Sequence, residues 1–249
     1  MIYQQRGIMI RQTNYSETSR IITILNEDGM SVPLMARGFN KPKSPFIVLR
    51  QGFREVLFTY NRFKGIGTLN EVDVVQQFKH VNNDFEVYSC AVYMMEMITK
   101  AIEDAPEDVT AEYYRLAVKG LELFEAGNSK YGVLSLIAIK MLKYYGAELN
   151  VDECAVCGNR NYRQFSHYSF KYHGVLCNNC LTDETTARSN LISNRVLYLA
   201  AYMKHVKIDD IESVKMSDEN GRMLLKFIEL IYDEYTGVFF KARKMVHME

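Results

Sequence analysis

The sequence predicts an α+β fold, in which a small N-terminal β-barrel is followed by an α-helical domain that carries a four-cysteine module. Three observations lead to this prediction: short alternating apolar runs up to about residue 78, a helical apolar period from about residue 81, and two Cys-x-x-Cys pairs within residues 154–180. We expect two domains, at residues 1–80 and 81–249, with the cysteine insert at about residues 150–182.

The N-terminal 80 residues alternate between apolar runs and turn residues, which is typical of β-strands. About five strands are expected, in the segments IYQQRGIMIRQ, RIITILN, GMSVPLMAR, FIVLRQGFREVLFTY and GIGTLNEVDVVQQF. So few strands in so short a segment cannot form an open sheet with both faces covered. A closed barrel of the OB type is therefore the predicted arrangement.

Helical segments are expected after about Val81, in VYSCAVYMMEMITKAI, EYYRLAVKGLELFEAG, YGVLSLIAIKMLKYYG, NRVLYLAAYMKHV and ENGRMLLKFIELIYDEY. In the third, spacing of i, i+3, i+4 and i+7 predicts one apolar stripe, which consists of Leu134, Ile137, Ala138, Met141, Leu142 and Tyr145. No apolar run reaches the roughly 18 residues of a membrane helix, and the first residues lack the pattern of a signal peptide. We expect a soluble intracellular protein.

The net charge of zero conceals an asymmetry between the two expected domains. Residues 1–80 contain 11 Lys and Arg against 6 Asp and Glu, which gives +5, so residues 81–249 carry −5. A basic N-terminal domain indicates a polyanionic partner. The acidic remainder favours an alternative, in which the protein is an adaptor that binds other proteins.

Four cysteines, Cys154, Cys157, Cys177 and Cys180, have the spacing of a zinc site, with 19 residues between the inner pair. Each Cys-x-x-Cys makes a tight turn that aims two thiolates at one point, and two such turns complete a tetrahedron suited to Zn²⁺. Four thiolates fill that coordination sphere, so we expect one structural zinc per chain.

Catalytic interpretations of this segment are weaker. A catalytic zinc would need His167 or His173 as a ligand and a general base, but neither His-x-Glu nor His-Glu-x-x-His occurs. A redox role would favour a strand-to-helix junction rather than a position between helices. The sequence also lacks a phosphate-binding Gly-x-x-x-x-Gly-Lys-Ser/Thr loop and a Gly-x-Ser-x-Gly elbow, so we expect no enzymatic activity.

The segment ARGFNKPKSPF, residues 36–46, concentrates cations and aromatic rings between the third and fourth expected strands. Cations neutralise phosphates and aromatic faces stack on unpaired bases, and residues in a loop should be free of the barrel core. A solvated loop is the alternative interpretation. Together with cations further along the chain, the expected DNA-binding residues are Arg37, Phe39, Lys41, Lys43, Arg50, Arg54, Arg62 and Lys64.

Several of these segments, in this order, resemble the RecO family of recombination mediator proteins. In the N-terminal part, the resemblance lies in Glu17 and Ser19 before RIITILN, in the loop ARGFNKPKS, and in LRQGF. In the C-terminal part, LIAIKMLKYYG leads to Cys154-x-x-Cys157-Gly and later to Cys177-x-x-Cys180. The sequence departs from many relatives at Phe39 and Asn40, where they carry further basic residues.

The resemblance implies a non-enzymatic DNA repair protein whose OB-fold binds single- and double-stranded DNA and anneals complementary strands, and whose helical domain holds a zinc module. It also implies that the protein works with RecR and single-stranded DNA-binding protein to load the RecA recombinase in gap repair, in the bacterial cytoplasm at the nucleoid. A zinc-braced protein-interaction adaptor with incidental DNA binding is the alternative, and a zinc hydrolase is a third.

Overall fold

The structure is a computed structural model that describes residues 1–104 and 110–247. The chain divides into two compact units, one formed by Met1–Gly127 with Ala242–Glu249 and the other by Asn128–Lys241. The first unit contains a closed barrel and helices, and the second contains helices and a small sheet, which confirms the α+β class. The boundary near residue 80 marks the end of the barrel and, as a domain boundary, stays a prediction.

Five strands form the barrel: β1 Ile2–Asn14, β2 Arg20–Asn26, β3 Ser31–Ala36, β4 Arg54–Asn61 and β5 Gly67–Gln77. Their order is β1-β2-β3-β5-β4, and β4 closes the barrel on β1. The β3–β5 pair is parallel, whereas the other pairs are antiparallel. This closed five-stranded arrangement confirms the predicted OB type.

The fourth strand begins later than predicted. Ile47–Arg50 is a short 3-10 helix rather than part of a strand, and β4 starts only at Arg54. Phe46, just before this helix, and Leu49 are buried in the barrel core, and Val48 packs against it, whereas Ile47 is exposed. Apart from Ile47, the apolar run FIVL therefore reflects burial against the barrel and not strand pairing.

The barrel core consists of alternate strand residues together with side chains from the segment that joins β3 to β4. Its buried members are Ile22, Ile24, Val32, Leu34, Ala36, Phe39, Phe46, Leu49, Val56, Phe58, Tyr60 and Leu69. β1 runs close to its neighbours at Gly7, where a Cβ would lie 2.6 Å from both Ile24 Cγ2 and the Leu25 carbonyl oxygen. Only glycine fits there without displacing the backbone of β2.

Eight helices lie outside the barrel in the described residues. α1 Lys79–Asn83, α2 Phe85–Asp104, α3 Ala111–Glu125 and α8 Arg243–Val246 belong to the first unit, and α4 Lys130–Met141, α5 Asp183–Thr186, α6 Asn194–His205 and α7 Asp218–Tyr235 to the second. The side chains of Thr110, Ser129, Ser193 and Ser217 cap α3, α4, α6 and α7 by accepting hydrogen bonds from backbone N–H groups of the first turn. None of the described helices is long and apolar enough to cross a membrane.

α4 differs from the predicted helix with one apolar stripe, because it is buried on all sides. Every residue from Tyr131 to Ile139 is buried, and so is Met141. α7 packs closely on it, since a Cβ at Gly221 would lie 2.9 Å from Tyr131 Cβ, and the Tyr232 hydroxyl donates to the Ala138 carbonyl at 2.8 Å. α4 is therefore the central helix of the second unit.

The cysteine segment contains regular structure that the sequence did not predict. Three short strands, β6 Phe165–Ser169, β7 Gly174–Cys177 and β8 Ser189–Leu191, form a sheet in the order β7-β6-β8. β6 and β7 form a hairpin, and every residue of β7 is buried.

We predict that Gly7→Ala destabilises the barrel by about 1 to 3 kcal/mol, because the added methyl group must displace Ile24 or the backbone of β2. Chemical denaturation followed by circular dichroism measures the change in the free energy of unfolding. Asn70→Ala, at an exposed position of β5, is the control and should change that free energy little. Equal effects of the two substitutions would contradict the close approach at Gly7.

Candidate functional site

The β3–β4 loop, residues 37–53, is anchored to the short loop that joins β1 to β2. The Asn40 side chain donates to the Glu17 carbonyl at 3.0 Å and accepts from Arg20 Nε at 3.0 Å, and the Asn40 backbone N–H donates to the Thr18 carbonyl at 3.0 Å. The Gly38 N–H also donates to the Ser19 hydroxyl at 3.3 Å. The loop therefore has a defined conformation rather than the freedom of a solvated tether.

Phe39 lies inside the barrel core, with 1% of its surface exposed. The guanidinium carbons of Arg20 and Arg50 lie 5.4 and 5.6 Å from the centroid of its ring. The expectation that Phe39 is free for base stacking is wrong, because the loop folds back and uses this ring as a hydrophobic anchor.

Three of the expected DNA-binding cations also brace loops. The Arg50 guanidinium donates to the carbonyls of Phe39 and Lys41, the latter at 2.7 Å. Arg54 donates from NH1 to the Val48 carbonyl at 2.7 Å and from NH2 to the Gln51 side chain at 2.8 Å. Arg62 Nε donates to the Gly65 carbonyl at 2.9 Å. Some of the N–H donors of these three side chains are therefore already used in hydrogen bonds within the protein.

The other four cations, Arg37, Lys41, Lys43 and Lys64, are exposed. None of them forms an ion pair with the residues that the structure describes. An unpaired exposed cation keeps its full charge available to an anion in solution. Arg37, Lys41 and Lys43 lie in the β3–β4 loop, so all three are in one segment whose backbone is fixed by hydrogen bonds.

Arg54 also lines a polar cleft of about 480 Å³ at the junction of the barrel and α1. Lys79 and the carboxamides of Gln51, Gln77 and Asn82 are among the other lining side chains. No carboxylate occurs among the described residues that line it. The cleft extends the basic character of the loop toward the end of the barrel.

The β4–β5 loop, residues 62–66, exposes an aromatic ring that the expected set of DNA-binding residues omitted. Phe63 is 92% exposed and lies between Arg62 and Lys64. The signal was present in the sequence as an aromatic residue between two cations next to glycines. The sequence alone did not distinguish Phe63 from aromatic residues in the barrel core, because that distinction depends on where β4 ends and β5 begins.

The four cysteines converge as the spacing predicts. Their sulfur atoms all lie within 4.8 Å of one another, and the Cys157 and Cys177 sulfurs are 3.7 Å apart, which excludes a disulfide between these two. Zn–S bonds of about 2.3 Å give a tetrahedron with edges of about 3.8 Å. The donor set and its spacing therefore fit a thiophilic metal ion.

The backbone around Cys154 builds the first half of this cluster. Gly158 adopts a φ of +71°, and its N–H donates to the Cys154 carbonyl at 2.9 Å, which closes the expected tight turn. The Cys177 N–H points at the Cys154 sulfur at 3.4 Å. Burial opposes ionisation of this thiol, but N–H donors from Cys177, Val156 and Cys157 outweigh burial and lower its pKa to about 6.

Neither histidine joins the four sulfurs among the residues described. His167 Nδ1 lies 3.0 Å from the Ser166 hydroxyl, and the His173 ring lies 5.3 Å from the Tyr235 ring. The hydrogen bond that the Cys180 thiol donates to Cys157, followed by burial, raises the pKa of Cys180.

Comparisons with known proteins agree with this architecture. A family described as "Recombination protein O N terminal" matches residues 1–78, and one described as "Recombination protein O C terminal" matches residues 82–244. A DNA repair protein RecO of Staphylococcus aureus strain MRSA252 is 35% identical over 247 residues, which cover 99% of this chain and 97% of the relative. Its counterparts in strains Newman and USA300 / TCH1516 are 34% identical with the same coverage.

The fold and the cysteine cluster define an OB-barrel protein with a helical, cysteine-rich second part. With matches along nearly its whole length, the chain belongs to the RecO family of DNA repair proteins.

We predict that Arg50→Ala loosens the β3–β4 loop. The loss of a charged donor to two carbonyls should accelerate amide hydrogen exchange at Lys41 and Ser44 by about tenfold, which corresponds to one net hydrogen bond. Lys43→Ala removes a charge from the same loop without removing a described brace and should leave these rates unchanged. Equal exchange rates in the Arg50 variant and the unmodified protein would contradict the bracing role.

Proposed function

We propose that this protein is a non-enzymatic DNA-binding and strand-annealing mediator of recombinational repair. The observation that carries the proposal is the exposed, unpaired set of Arg37, Lys41 and Lys43 on a braced loop of an OB barrel. Loops of OB barrels are frequent sites of oligonucleotide binding. The net charge of +5 on residues 1–80 supports the same partner.

Annealing by such a surface requires no covalent chemistry. Cations reduce the repulsion between two polyanionic strands, and phosphate contacts leave the base edges free to pair. Because the loop is already ordered, little conformational entropy is lost when DNA binds. The role of this chain is thus to hold two strands close together, while base pairing supplies the sequence selection.

Membership of the family supports a more specific role. The protein would act with RecR and single-stranded DNA-binding protein to load RecA on gapped DNA, which would place it at the nucleoid in the cytoplasm. Membership of the family supports these protein partners, whereas the cations on the barrel surface support only DNA as a partner.

The cysteine cluster is proposed to hold one structural Zn²⁺. Four sulfur donors occupy all four positions of a tetrahedral ion, so no position is left for water or substrate. The ion would connect the turn at Cys154 and Cys157 to the end of β7 at Cys177 and the following turn at Cys180.

A protein-interaction adaptor is the second candidate, and the net charge of −5 on residues 81–249 favours it. In that case DNA binding would be incidental to the barrel. Loss of all DNA affinity at about 0.15 M salt, with partner binding retained, would select the adaptor over the annealing mediator.

We expect the combined substitution of Arg37, Lys41 and Lys43 by Ala to weaken binding to single-stranded DNA. The slope of log affinity against log salt should become less steep by about 2, since each phosphate contact on a single strand contributes about 0.7. Fluorescence anisotropy with a labelled oligonucleotide at several salt concentrations measures both quantities, and an annealing assay should show a slower rate.

The matched control replaces Lys207, Lys215 and Lys226 by Ala, which removes the same charge from exposed positions of the second unit. An identical loss of affinity in both variants would attribute binding to net charge rather than to the loop. A flat salt response of the unmodified protein would overturn the DNA-binding proposal.

We expect purified protein to contain one zinc per chain and Cys154→Ser to lose it. Because metal binding stabilises the fold directly, the variant should unfold at a temperature lower by about 10 °C or more. Elemental analysis and thermal unfolding measure the two effects, with Cys90→Ala as the control because Cys90 lies in α2, outside the cluster. Normal thermal stability combined with lost annealing would contradict a structural role of the metal.

A further inference from the structure

The β4–β5 loop presents the most exposed aromatic ring of the described chain, Phe63, with 92% of its surface accessible. Single exposed apolar residues are common and need no function. The surroundings of Phe63 distinguish it, because Arg62 and Lys64 precede and follow it and the described loop contains no carboxylate.

The loop has a defined conformation. The Arg62 N–H donates to the Met1 carbonyl at 3.2 Å, and Arg62 Nε donates to the Gly65 carbonyl at 2.9 Å. Gly65 adopts a φ of +65°, which lets the chain turn back into β5. The Phe63 ring is therefore exposed on a loop whose conformation is fixed by hydrogen bonds.

The register of β3 and β5 places this loop relative to the β3–β4 loop. The two strands are parallel and pair at Leu34 with Gly67 and at Met35 with Thr68. The β4–β5 loop thus enters the sheet before Leu34, whereas the β3–β4 loop leaves it after Ala36. Between these two points lie only the last three residues of β3, a length of about 10 Å that a few nucleotides can span.

We propose that Phe63 stacks on an unpaired base of single-stranded DNA, with Arg62 and Lys64 on the flanking phosphates. The inference rests on the proposed DNA-binding function and adds a preference for unpaired bases to it. An apolar ring between two cations fits a ligand that has both an aromatic face and negative charge, and unpaired nucleotides offer both. In a duplex the base faces are covered by their neighbours, so Phe63 gains nothing from paired DNA.

Stacking also agrees with annealing. The ring covers only the face of a base and leaves its pairing edge free for the complementary strand. Formation of the duplex then covers the base faces and releases the ring. Phe63 would thus bind the substrate of annealing more tightly than its product.

The chain contains no tryptophan, which makes a direct test possible. Phe63→Trp introduces the single tryptophan of the sequence at the proposed stacking position, and its fluorescence can be excited separately from that of the 17 tyrosines. An oligothymidine strand should quench its fluorescence at the concentrations that produce binding by anisotropy, and a blunt duplex should quench it little. Phe85→Trp, at another exposed phenylalanine of the same unit, is the control and should not be quenched.

Phe63→Ala should lower the affinity for single-stranded DNA by about tenfold and leave duplex affinity unchanged. The salt slope should stay the same, because no charge is removed, and Phe63→Tyr should restore affinity. Circular dichroism spectra and thermal unfolding that match the unmodified protein establish that the fold is intact.

The outcomes separate this inference from the function on which it rests. Unchanged affinity of Phe63→Ala, or equal quenching of Phe63→Trp by duplex and single strand, overturns the stacking role while DNA binding stands. Quenching by a protein partner without quenching by DNA assigns the loop to protein docking and also overturns it. Failure of the unmodified protein to bind DNA overturns the proposed function itself.

Discussion

Closure of the barrel by β4 on β1 is the constraint on which the arrangement of the first unit depends. The two strands pair from Ile2 with Asn61 to Ile8 with Glu55, while β1 also pairs with β2. Closure removes the free edges that a five-stranded sheet would otherwise expose. It also requires close strand approach at Gly7 and ties the first residue of the chain to the β4–β5 loop through the Met1 carbonyl. Both loops that present cations are therefore held by strands that cannot separate without opening the barrel.

Some cations of the first unit donate hydrogen bonds to loop carbonyls, and others are exposed to solvent without an ion pair among the described residues. Which of the two a cation does depends on how the β3–β4 loop covers the open end of the barrel core. The β3–β4 loop must cover one end of the core, so it contributes Phe39, Phe46 and Leu49 to the interior. Burying these residues leaves loop carbonyls that need donors, and Arg50 and Arg54 supply them. Lys41 and Lys43, between the buried Phe39 and Phe46, form no ion pair with the described residues and are exposed to solvent. The fixed conformation of this basic loop is thus a consequence of its covering one end of the barrel core.

Local sequence patterns predicted the barrel and the cysteine cluster, whereas the burial of residues that contact distant parts of the chain could not be predicted. Alternating strands and the paired Cys-x-x-Cys spacing are local patterns, so the OB barrel and the four-sulfur cluster followed from them. Phe39 and Phe63 are both aromatic residues beside cations, and the sequence alone does not say that one fills the core and the other is exposed. The continuous burial of α4 has the same cause, because an apolar stripe does not reveal that neighbours cover the remaining sides. Tertiary packing, rather than propensity, decided each of these positions.

The cysteine cluster shows why a conspicuous motif and a functional surface need not coincide. Its sheet has three strands of five, four and three residues, which is little regular structure to hold a segment in place. A metal ion held by the four cysteines would join the turn before the sheet to the end of β7 and would compensate for this small core. Its closed coordination sphere would contribute stability and leave no position for a substrate. The exposed cations and the exposed ring of Phe63 lie instead on two loops of the barrel, away from the four cysteines in the chain.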